Sequence, residues 1–210
     1  MLIAIANQKG GVGKTTTAAN IGVLLARGAS RVLVVDIDPQ HALTRQLGAD
    51  NQTVGLTLVD VLAGRAAAHD AIVSGVHGVD LLAGAPELAG VEMSLVGELG
   101  RERFLADALA PVLGDYDHVV IDTPPNLGLL TVNALVCAER VLAPVSGEDE
   151  GSVHGILALR ATLTKLATRL AKATPALTVV LIRWQPQRVS SRQIEDARGR
   201  IPTEHREFVV

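Results

Sequence analysis

A glycine-rich segment with two lysines lies near the start of this 210-residue chain and constrains its fold more than any other feature. It runs from Lys9 to Thr16 as Lys-Gly-Gly-Val-Gly-Lys-Thr-Thr and directly follows the apolar residues 2–6. A short apolar strand, a glycine turn and a helix predicted over residues 15–27 together make a strand, phosphate loop and helix. Glycine lets backbone N–H groups point inward at an anion, and the helix directs its positive N-terminal end at the same point.

The side chains of this loop have the chemistry that a bound nucleotide needs. We expect Lys14 to place an ammonium group on the β- and γ-phosphates and the hydroxyl of Thr15 to ligate Mg²⁺. The alternative is a glycine turn without a ligand, but two lysines and two threonines at these spacings serve no packing purpose. The predicted nucleotide-binding residues are Lys9, Gly10, Gly11, Val12, Gly13, Lys14, Thr15 and Thr16.

Composition and length favour one well-buried α/β domain over residues 1–210. Apolar residues make up 48% of the chain but aromatic residues only 2%, so the core must consist of Ala, Val, Leu and Ile. Such a core suits a parallel sheet covered by helices on both faces. Because Cys137 is the single cysteine, no intramolecular disulfide forms, and a reducing cytosol is indicated. Neither a secretory signal nor an apolar run of about 20 residues is visible, so we expect no membrane span.

Two further apolar runs end in acidic residues, which marks the same edge of the predicted sheet. Residues 31–35 lead into Asp36 and Asp38, and residues 118–121 lead into Asp122 and a Thr-Pro-Pro turn. Open α/β sheets bind ligands at the carboxyl ends of their strands. Asp122 has the form of a Walker B aspartate, which holds Mg²⁺. The alternative is that each acidic residue simply caps a strand or begins a loop.

The remaining pattern predicts alternating strands and helices. Further strands are expected at residues 79–84, 140–145, 177–183 and 207–210, and helices at 41–47, 58–62, 66–73, 88–99, 101–113, 129–138 and 152–173. Four glutamates, Glu87, Glu92, Glu98 and Glu102, are expected to form a solvated acidic face rather than a metal site.

The loop resembles the deviant Walker A motif, K-G-G-x-G-K-[ST], of the ParA/MinD family of P-loop ATPases. The common P-loop pattern wants glycine at position 8, where this chain has Gln8, and the family instead has the early lysine found here as Lys9. The resemblance is strong over residues 2–40 and 117–135 and weakens after residue 145. It is greatest to the ParA/Soj-type DNA-partitioning members, and it implies a doubly wound, mostly parallel β-sheet flanked by helices.

The resemblance also implies roles and partners. Lys9 would reach across a homodimer interface to the partner's ATP, Asp38 would position the attacking water, and Asp36 would support the Mg²⁺ shell. The implied catalytic residues are Lys9, Lys14, Asp38 and Asp122, and the implied metal residues are Thr15, Asp36 and Asp122. The implied partners are nonspecific DNA and a ParB-like stimulating protein, with no membrane and a cytoplasmic, nucleoid-associated location.

Charge is distributed unevenly, and this bears on DNA binding. Residues 1–150 hold 9 basic and 18 acidic side chains, whereas residues 151–210 hold 10 basic and 4 acidic ones. A basic C-terminal third indicates a surface for a polyanion, although solvated helix faces explain it as well. In DNA-partitioning relatives basic residues of this region contact DNA, and the candidates here are Arg188, Arg192, Arg198 and Arg200.

Several positions depart from the family pattern. His41 stands where the family has glycine, Ser146 replaces a glutamine before Glu148, and Arg183 stands where many relatives have the asparagine that reads adenine. Thr131 and Asn133 match family positions that lie near the dimer surface. The chain stops at what resembles the start of the last strand, so we expect it to lack the C-terminal end typical of relatives.

Four functions remain open at this point. The leading one is a dimerising ATPase of chromosome or plasmid partitioning. The others are a MinD-like ATPase that cycles on a membrane, a P-loop metabolic enzyme that transfers phosphate or activates a carboxylate, and a nucleotide-binding protein that has lost hydrolysis.

Overall fold

The computed structural model describes residues 1–49, 54–146, 152–182 and 208–209, without the side chains of residues 152–154 and 208–209. Its centre is an eight-stranded sheet. The strands are β1 (Leu2–Ile5), β2 (Val32–Asp36), β3 (Ile72–Val76), β4 (Val79–Leu82), β5 (His118–Asp122), β6 (Arg140–Ser146), β7 (Ala176–Ile182) and β8 (Phe208–Val209). Their order across the sheet is β3-β4-β2-β5-β1-β6-β7-β8, and only the pairing of β3 with β4 is antiparallel in the described part of the chain.

Helices cover both faces of this sheet. They are α1 (Lys14–Arg27), α2 (Ala42–Gln46), α3 (Leu58–Leu62), α4 (Leu88–Leu95), α5 (Phe104–Leu109), α6 (Leu129–Cys137) and α7 (Ser152–Leu170). Short 3-10 helices occupy Ala68–Ala71, Arg101–Arg103 and Leu113–Asp115. The structure therefore confirms the predicted doubly wound, mostly parallel α/β fold.

Alternation along β1 divides the core into two layers. Ile3 and Ile5 point into a cluster with Ala18 of α1 and Leu43 of α2. Ala4 points into the other cluster, which contains buried side chains of α3 to α7. Because successive side chains of a strand face opposite sides of the sheet, one short apolar run supports both layers.

A glycine in the middle of α1 allows this helix to approach the sheet closely. A Cβ atom at Gly22 would lie 2.7 Å from Cγ2 of Val34, which is closer than carbon atoms can approach. Glycine costs a helix interior about 0.5–1 kcal/mol relative to alanine. Glycine at this position therefore lets α1 pack closely against β2.

The helix predicted over residues 66–73 is wrong. Residues Ala68–Ala71 form a single 3-10 turn, and the following residues form β3, an edge strand paired with β4. Gly75 and Gly78 have φ angles of +76° and +87°, which suit a bulge and a tight turn rather than a helix. Residues 72–76 form a strand because they pair with β4, and local periodicity does not reveal this pairing.

The two helices predicted over residues 88–113 are shorter than expected. The first one, α4, ends at Leu95, before a segment in which Gly100 has a φ angle of +68°. The second begins with a 3-10 turn and ends at Leu109, because Pro111 lacks the N–H that would continue the helix. The other predicted helices match α1, α2, α3, α6 and α7 to within a few residues at each end.

Candidate functional site

The glycine-rich loop connects β1 to α1 at the carboxyl edge of the sheet. Gly11 and Gly13 have φ angles of +73° and +74°, a left-handed conformation that glycine adopts without strain. Gly13 precedes the first residue of α1, and no acidic side chain occupies the first turn of this helix. The positive end of the helix dipole is therefore not neutralised locally, which favours binding of an anion.

Asn7 fixes the entrance of the loop, and sequence reasoning missed it. Its Nδ2 donates to the carbonyl of Pro144 in β6 at 2.7 Å, and its Oδ1 accepts from the N–H of Lys9 at 3.0 Å. The side chain is buried, so these bonds do not compete with water. The available signal was a polar residue that directly follows a buried strand.

Lys14 lies inside the loop, whereas the side chain of Lys9 is exposed at its entrance. The ammonium Nζ of Lys14 donates to the carbonyl of Lys9 at 3.1 Å. Burial lowers the pKa of Lys14, and the carboxylates of Asp122 and Asp38 act in the opposite direction. The lysine thus lies within electrostatic reach of both acidic residues.

The three predicted aspartates come together at the ends of β2 and β5. These strands are parallel neighbours in which Asp36 is the register partner of Asp122. Asp38 follows two residues after β2, where its Oδ1 accepts from the N–H of Gln40 at 2.8 Å. All three side chains are buried. The structure therefore places the predicted acidic residues next to the phosphate loop.

Asp122 is the residue of this group whose hydrogen bonds are least satisfied. Both of its carboxylate oxygens are buried, and within the described ranges neither has a hydrogen-bond partner. Burial raises the pKa of Asp122 to about 7, and the hydroxyl of Thr15 is near enough to lower it in part. Buried polar atoms without partners are rare, so this carboxylate is suited to a ligand such as a metal ion or its water.

The residues present fit Mg²⁺ together with a phosphate group. In the described part of the chain, no three His, Cys, Asp or Glu side chains form a metal site by themselves. Mg²⁺ usually keeps several waters and binds one or two carboxylates plus substrate phosphates. Thr15 and Asp122 would hold such an ion, and Asp36 lies beside them.

Asp36 differs from Asp122 because its carboxylate is hydrogen-bonded within the protein. Oδ2 accepts from both the N–H and the hydroxyl of Thr44 at 2.8 Å, and Oδ1 accepts from the N–H of Asp38 at 3.3 Å. Burial raises the pKa of Asp36 to about 6, and the bonds from Thr44 act against it. Sequence reasoning missed Thr44 and the glycine that binds it, Gly84.

His41 directly precedes α2 and has a φ angle of +41°, at the position where the family pattern has glycine. Its ring lies 3.3 Å from the carbonyl of Pro39 and 3.3 Å from a guanidinium nitrogen of Arg45. The side chain is half-buried. These contacts hold a non-glycine residue in a conformation that glycine adopts more easily.

The segment after Asp122 is bound to the rest of the fold at several points. The hydroxyl of Thr123 donates to the carbonyl of Ile5 at 2.8 Å, and that of Thr131 donates to the carbonyl of Asn126 at 2.7 Å. Asn133 accepts from the N–H of Leu105 at 3.0 Å. Thr131 and Asn133, which were expected near a dimer surface, are almost completely buried and hold α6 in place.

Glu92 of α4 also contacts this segment, whereas it was expected to be solvated. Its Oε1 accepts from the N–H of Leu130 at 3.2 Å, at the N-terminus of α6. A Cβ atom at Gly128 would lie 2.4 Å from the same oxygen, so the glycine admits the carboxylate. The structure thus joins α4 to the chain that follows Asp122.

Several predicted residues lie outside the described part of the chain. They are the candidate DNA contacts Arg188, Arg192, Arg198 and Arg200, together with Glu148 and Arg183. Among the helices that the structure describes, none is both long and apolar enough to cross a lipid bilayer.

Comparisons with known proteins show which chains this one resembles. Residues 1–176 match a family described as an AAA domain. Soj of Bacillus subtilis is 46% identical over 148 residues, which are 70% of this chain and 58% of Soj. The chromosome partitioning protein ParA of Caulobacter vibrioides is 39% identical over 196 residues, which are 92% of this chain and 73% of ParA. The chain spans 58% to 61% of the length of three curated relatives, Soj among them.

A solved structure shows the same architecture. The cobyrinic acid a,c-diamide synthase of Mycobacterium smegmatis, with a bound ATP analog and magnesium, superposes with a TM-score of 0.88 at 36% identity. The superposition covers 96% of this chain and 82% of that protein. From the loop, the fold and these similarities together, the chain belongs to the ParA/MinD-type P-loop ATPases, a family that includes ParA and Soj.

Proposed function

We propose that this chain is a Mg²⁺-dependent ATPase that forms a nucleotide-switched homodimer in chromosome or plasmid partitioning. One juxtaposition carries the proposal: the glycine loop and the buried ammonium of Lys14 lie beside Asp122, whose two oxygens have no partner among the described residues. Support also comes from the partitioning relatives ParA and Soj, and from the ATP analog and magnesium bound by the Mycobacterium smegmatis relative.

The chain's own groups would bind the triphosphate by charge and geometry. The N–H groups of residues 10–13 and the N-terminus of α1 would bind the phosphates, and the ammonium of Lys14, which now donates to the carbonyl of Lys9, would donate to phosphate oxygens. Thr15 and Asp122 would hold Mg²⁺, with Asp36 in support. A bound Mg²⁺ neutralises charge on the phosphates and orients them for in-line attack.

Two further side chains complete the proposed reaction. Asp38 is held at the sheet edge by the turn that contains Gln40, and it would orient the attacking water. Lys9 is exposed at the loop entrance, from where it would neutralise phosphate charge in the partner subunit. Such a dimer buries ATP between two subunits, and slow intrinsic turnover lets the ATP state persist.

The proposed partners follow from charge and from the relatives. Within residues 151–210, basic side chains outnumber acidic ones by 10 to 4. A surface that binds nonspecific DNA needs such a density of positive charge rather than side chains that read bases. The ATP-bound dimer would bind nonspecific DNA, which gives it a cytoplasmic, nucleoid-associated location. A ParB-like protein would stimulate hydrolysis and so release the dimer from DNA.

Retention on DNA tests this function. With ATP and Mg²⁺ the full chain should bind nonspecific duplex DNA, and binding should fall at least about tenfold between 50 and 200 mM salt. Arg188→Glu should weaken retention, whereas Arg103→Glu, an equal charge change on the acidic body, should leave it near the wild-type level. Retention that does not depend on ATP, or equal loss in both variants, would contradict the proposal.

A second candidate function is an enzyme that activates a small carboxylate with ATP. The similarity to a cobyrinic acid a,c-diamide synthase favours it. Such an enzyme would hydrolyse ATP only when a carboxylic acid and a nitrogen donor are added. The Lys9→Ala substitution would leave its rate of ATP hydrolysis unchanged. If the protein binds anionic vesicles but not DNA, a third function is favoured, that of a MinD-like ATPase.

A further inference from the structure

Thr44 of α2 connects Asp36 to the end of β4. Its N–H and its hydroxyl both donate to Oδ2 of Asp36 at 2.8 Å, and its hydroxyl oxygen accepts from the N–H of Gly84 at 3.0 Å. A hydroxyl has one proton, which here goes to Asp36 while Gly84 occupies a lone pair. The rotation of this buried hydroxyl is therefore fixed from both sides.

Gly84 permits this arrangement because it has no side chain. A Cβ atom at position 84 would lie 2.7 Å from the carbonyl oxygen of Asp36 and 3.0 Å from its carboxylate carbon. Any larger residue would displace the N–H that binds Thr44. Three elements thus converge on one carboxylate: the end of β2, α2 and the end of β4.

The contacts of Asp36 are divided unequally between its two oxygens. Oδ2 accepts two short bonds from Thr44, whereas Oδ1 accepts one longer bond of 3.3 Å from the N–H of Asp38. The remaining acceptor capacity of the carboxylate therefore lies mainly on Oδ1. Asp122, with two buried oxygens that lack partners in the described ranges, is the register neighbour of Asp36.

We propose that Thr44 is a positioning residue for the magnesium side of the site. Its hydroxyl, fixed between Gly84 and Asp36, holds the Asp36 carboxylate so that Oδ1 stays available to the water ligands of Mg²⁺. The inference rests on the proposed Mg²⁺–nucleotide binding. It adds a residue that contacts neither metal nor nucleotide but determines how tightly the metal is held.

A purely structural role for Thr44 makes a different prediction. Loss of a buried hydroxyl that only stabilises the fold lowers the melting temperature and leaves the metal affinity of the folded protein unchanged. Loss of a positioning hydroxyl weakens Mg²⁺ binding by about tenfold or more, as is typical of groups that orient metal ligands. Metal affinity, measured apart from stability and turnover, therefore separates the two roles.

The experiment measures the Mg²⁺ concentration that half-saturates the full-length protein in the presence of saturating ADP, by fluorescence of a labelled ADP. The variants are Thr44→Val, Thr44→Ala, which avoids crowding should the valine variant not fold, and Thr44→Ser, which restores the hydroxyl. Thr178→Val is the matched control, because it removes a buried hydroxyl on β7 that accepts a hydrogen bond from Arg140 of β6.

We expect Thr44→Val and Thr44→Ala to raise this Mg²⁺ concentration about tenfold, with ADP affinity in the absence of Mg²⁺ within about twofold of wild type. Thr44→Ser and Thr178→Val should stay within about twofold of wild type. An unchanged Mg²⁺ requirement in both hydroxyl-deleted variants, or an equal shift in Thr178→Val, would overturn the inference. Failure of the wild-type protein to bind ADP or Mg²⁺ would instead refute the proposed function itself.

Discussion

At the residue scale, the buried carboxylate of Asp122 makes the stability of the free protein depend on pH. Its pKa is raised to about 7 by burial, whereas an aspartate in the unfolded chain ionises near 3.9. The folded state therefore binds the proton more tightly, and this contribution to stability is complete below pH 4 and lost as the pH rises through about 7.

Urea unfolding of the nucleotide-free protein tests this linkage. The free energy of unfolding contributed by Asp122 should fall by on the order of 2 kcal/mol between pH 5 and pH 8. Asp122→Asn should remove that part of the pH dependence, whereas Asp107→Asn, at an exposed site on α5, should retain it. An unchanged pH dependence in Asp122→Asn would show that its carboxylate is already ionised in the folded protein.

His41 illustrates a backbone cost at the same scale. A left-handed conformation costs an L-residue about 1–2 kcal/mol, and glycine escapes this cost but loses more chain entropy on folding. We therefore expect His41→Gly to be more stable than His41→Ala by about 0.5–1 kcal/mol, because both lack the ring contacts and only alanine keeps the strain. Equilibrium unfolding measures the difference. The reverse order would mean that the turn before α2 relaxes in the variants.

At the scale of elements, Glu92 joins α4 to the start of α6, which follows directly on the segment after Asp122. A carboxylate at a helix N-terminus contributes about 0.3–1 kcal/mol, so Glu92→Gln should destabilise the protein by about that amount. Hydrogen exchange at the N–H of Leu130 should become faster. Glu98→Gln, on the exposed segment after α4, is the control and should change neither quantity. Equal exchange rates in both variants would contradict this connection.

The sequence was sufficient for elements whose structure is determined locally. The central strands β2 and β5 are apolar runs that end in aspartate, a pattern typical of buried parallel strands. It was insufficient for β3, because Ser74 and Gly75 interrupt the apolar pattern and the strand exists through its pairing with β4. The ends of α4 and α5 likewise depend on glycine and proline positions that periodicity underweights.

The candidate site likewise contains residues that the sequence predicts and residues that it does not. Gly11, Gly13 and Lys14 could be predicted because phosphate binding restricts residue types at fixed spacing. The supporting residues could not, because their partners are distant in sequence. Thr44 binds Gly84 across 40 residues and Asn7 binds Pro144 across 137 residues. Such contacts become visible only when the strands are placed side by side.

At the scale of the whole molecule, the proposed function requires two subunits that share two nucleotides. The phosphate loop, Asp38 and Asp122 lie at one edge of the sheet, and the side chain of Lys9 is exposed there. In the proposed dimer, each subunit holds the groups for binding and for water orientation, and its Lys9 neutralises phosphate charge in the other subunit. We therefore expect dimerisation to require Lys9.

Sedimentation velocity with Mg²⁺ and a non-hydrolysable ATP analogue tests this claim most directly. The wild-type chain and Lys165→Ala, a control at an exposed lysine of α7, should sediment as dimers, and without nucleotide both should sediment as monomers. Lys9→Ala should bind the analogue and remain monomeric. A wild-type chain that stays monomeric when saturated with the analogue, or a Lys9→Ala variant that dimerises like wild type, would contradict the account.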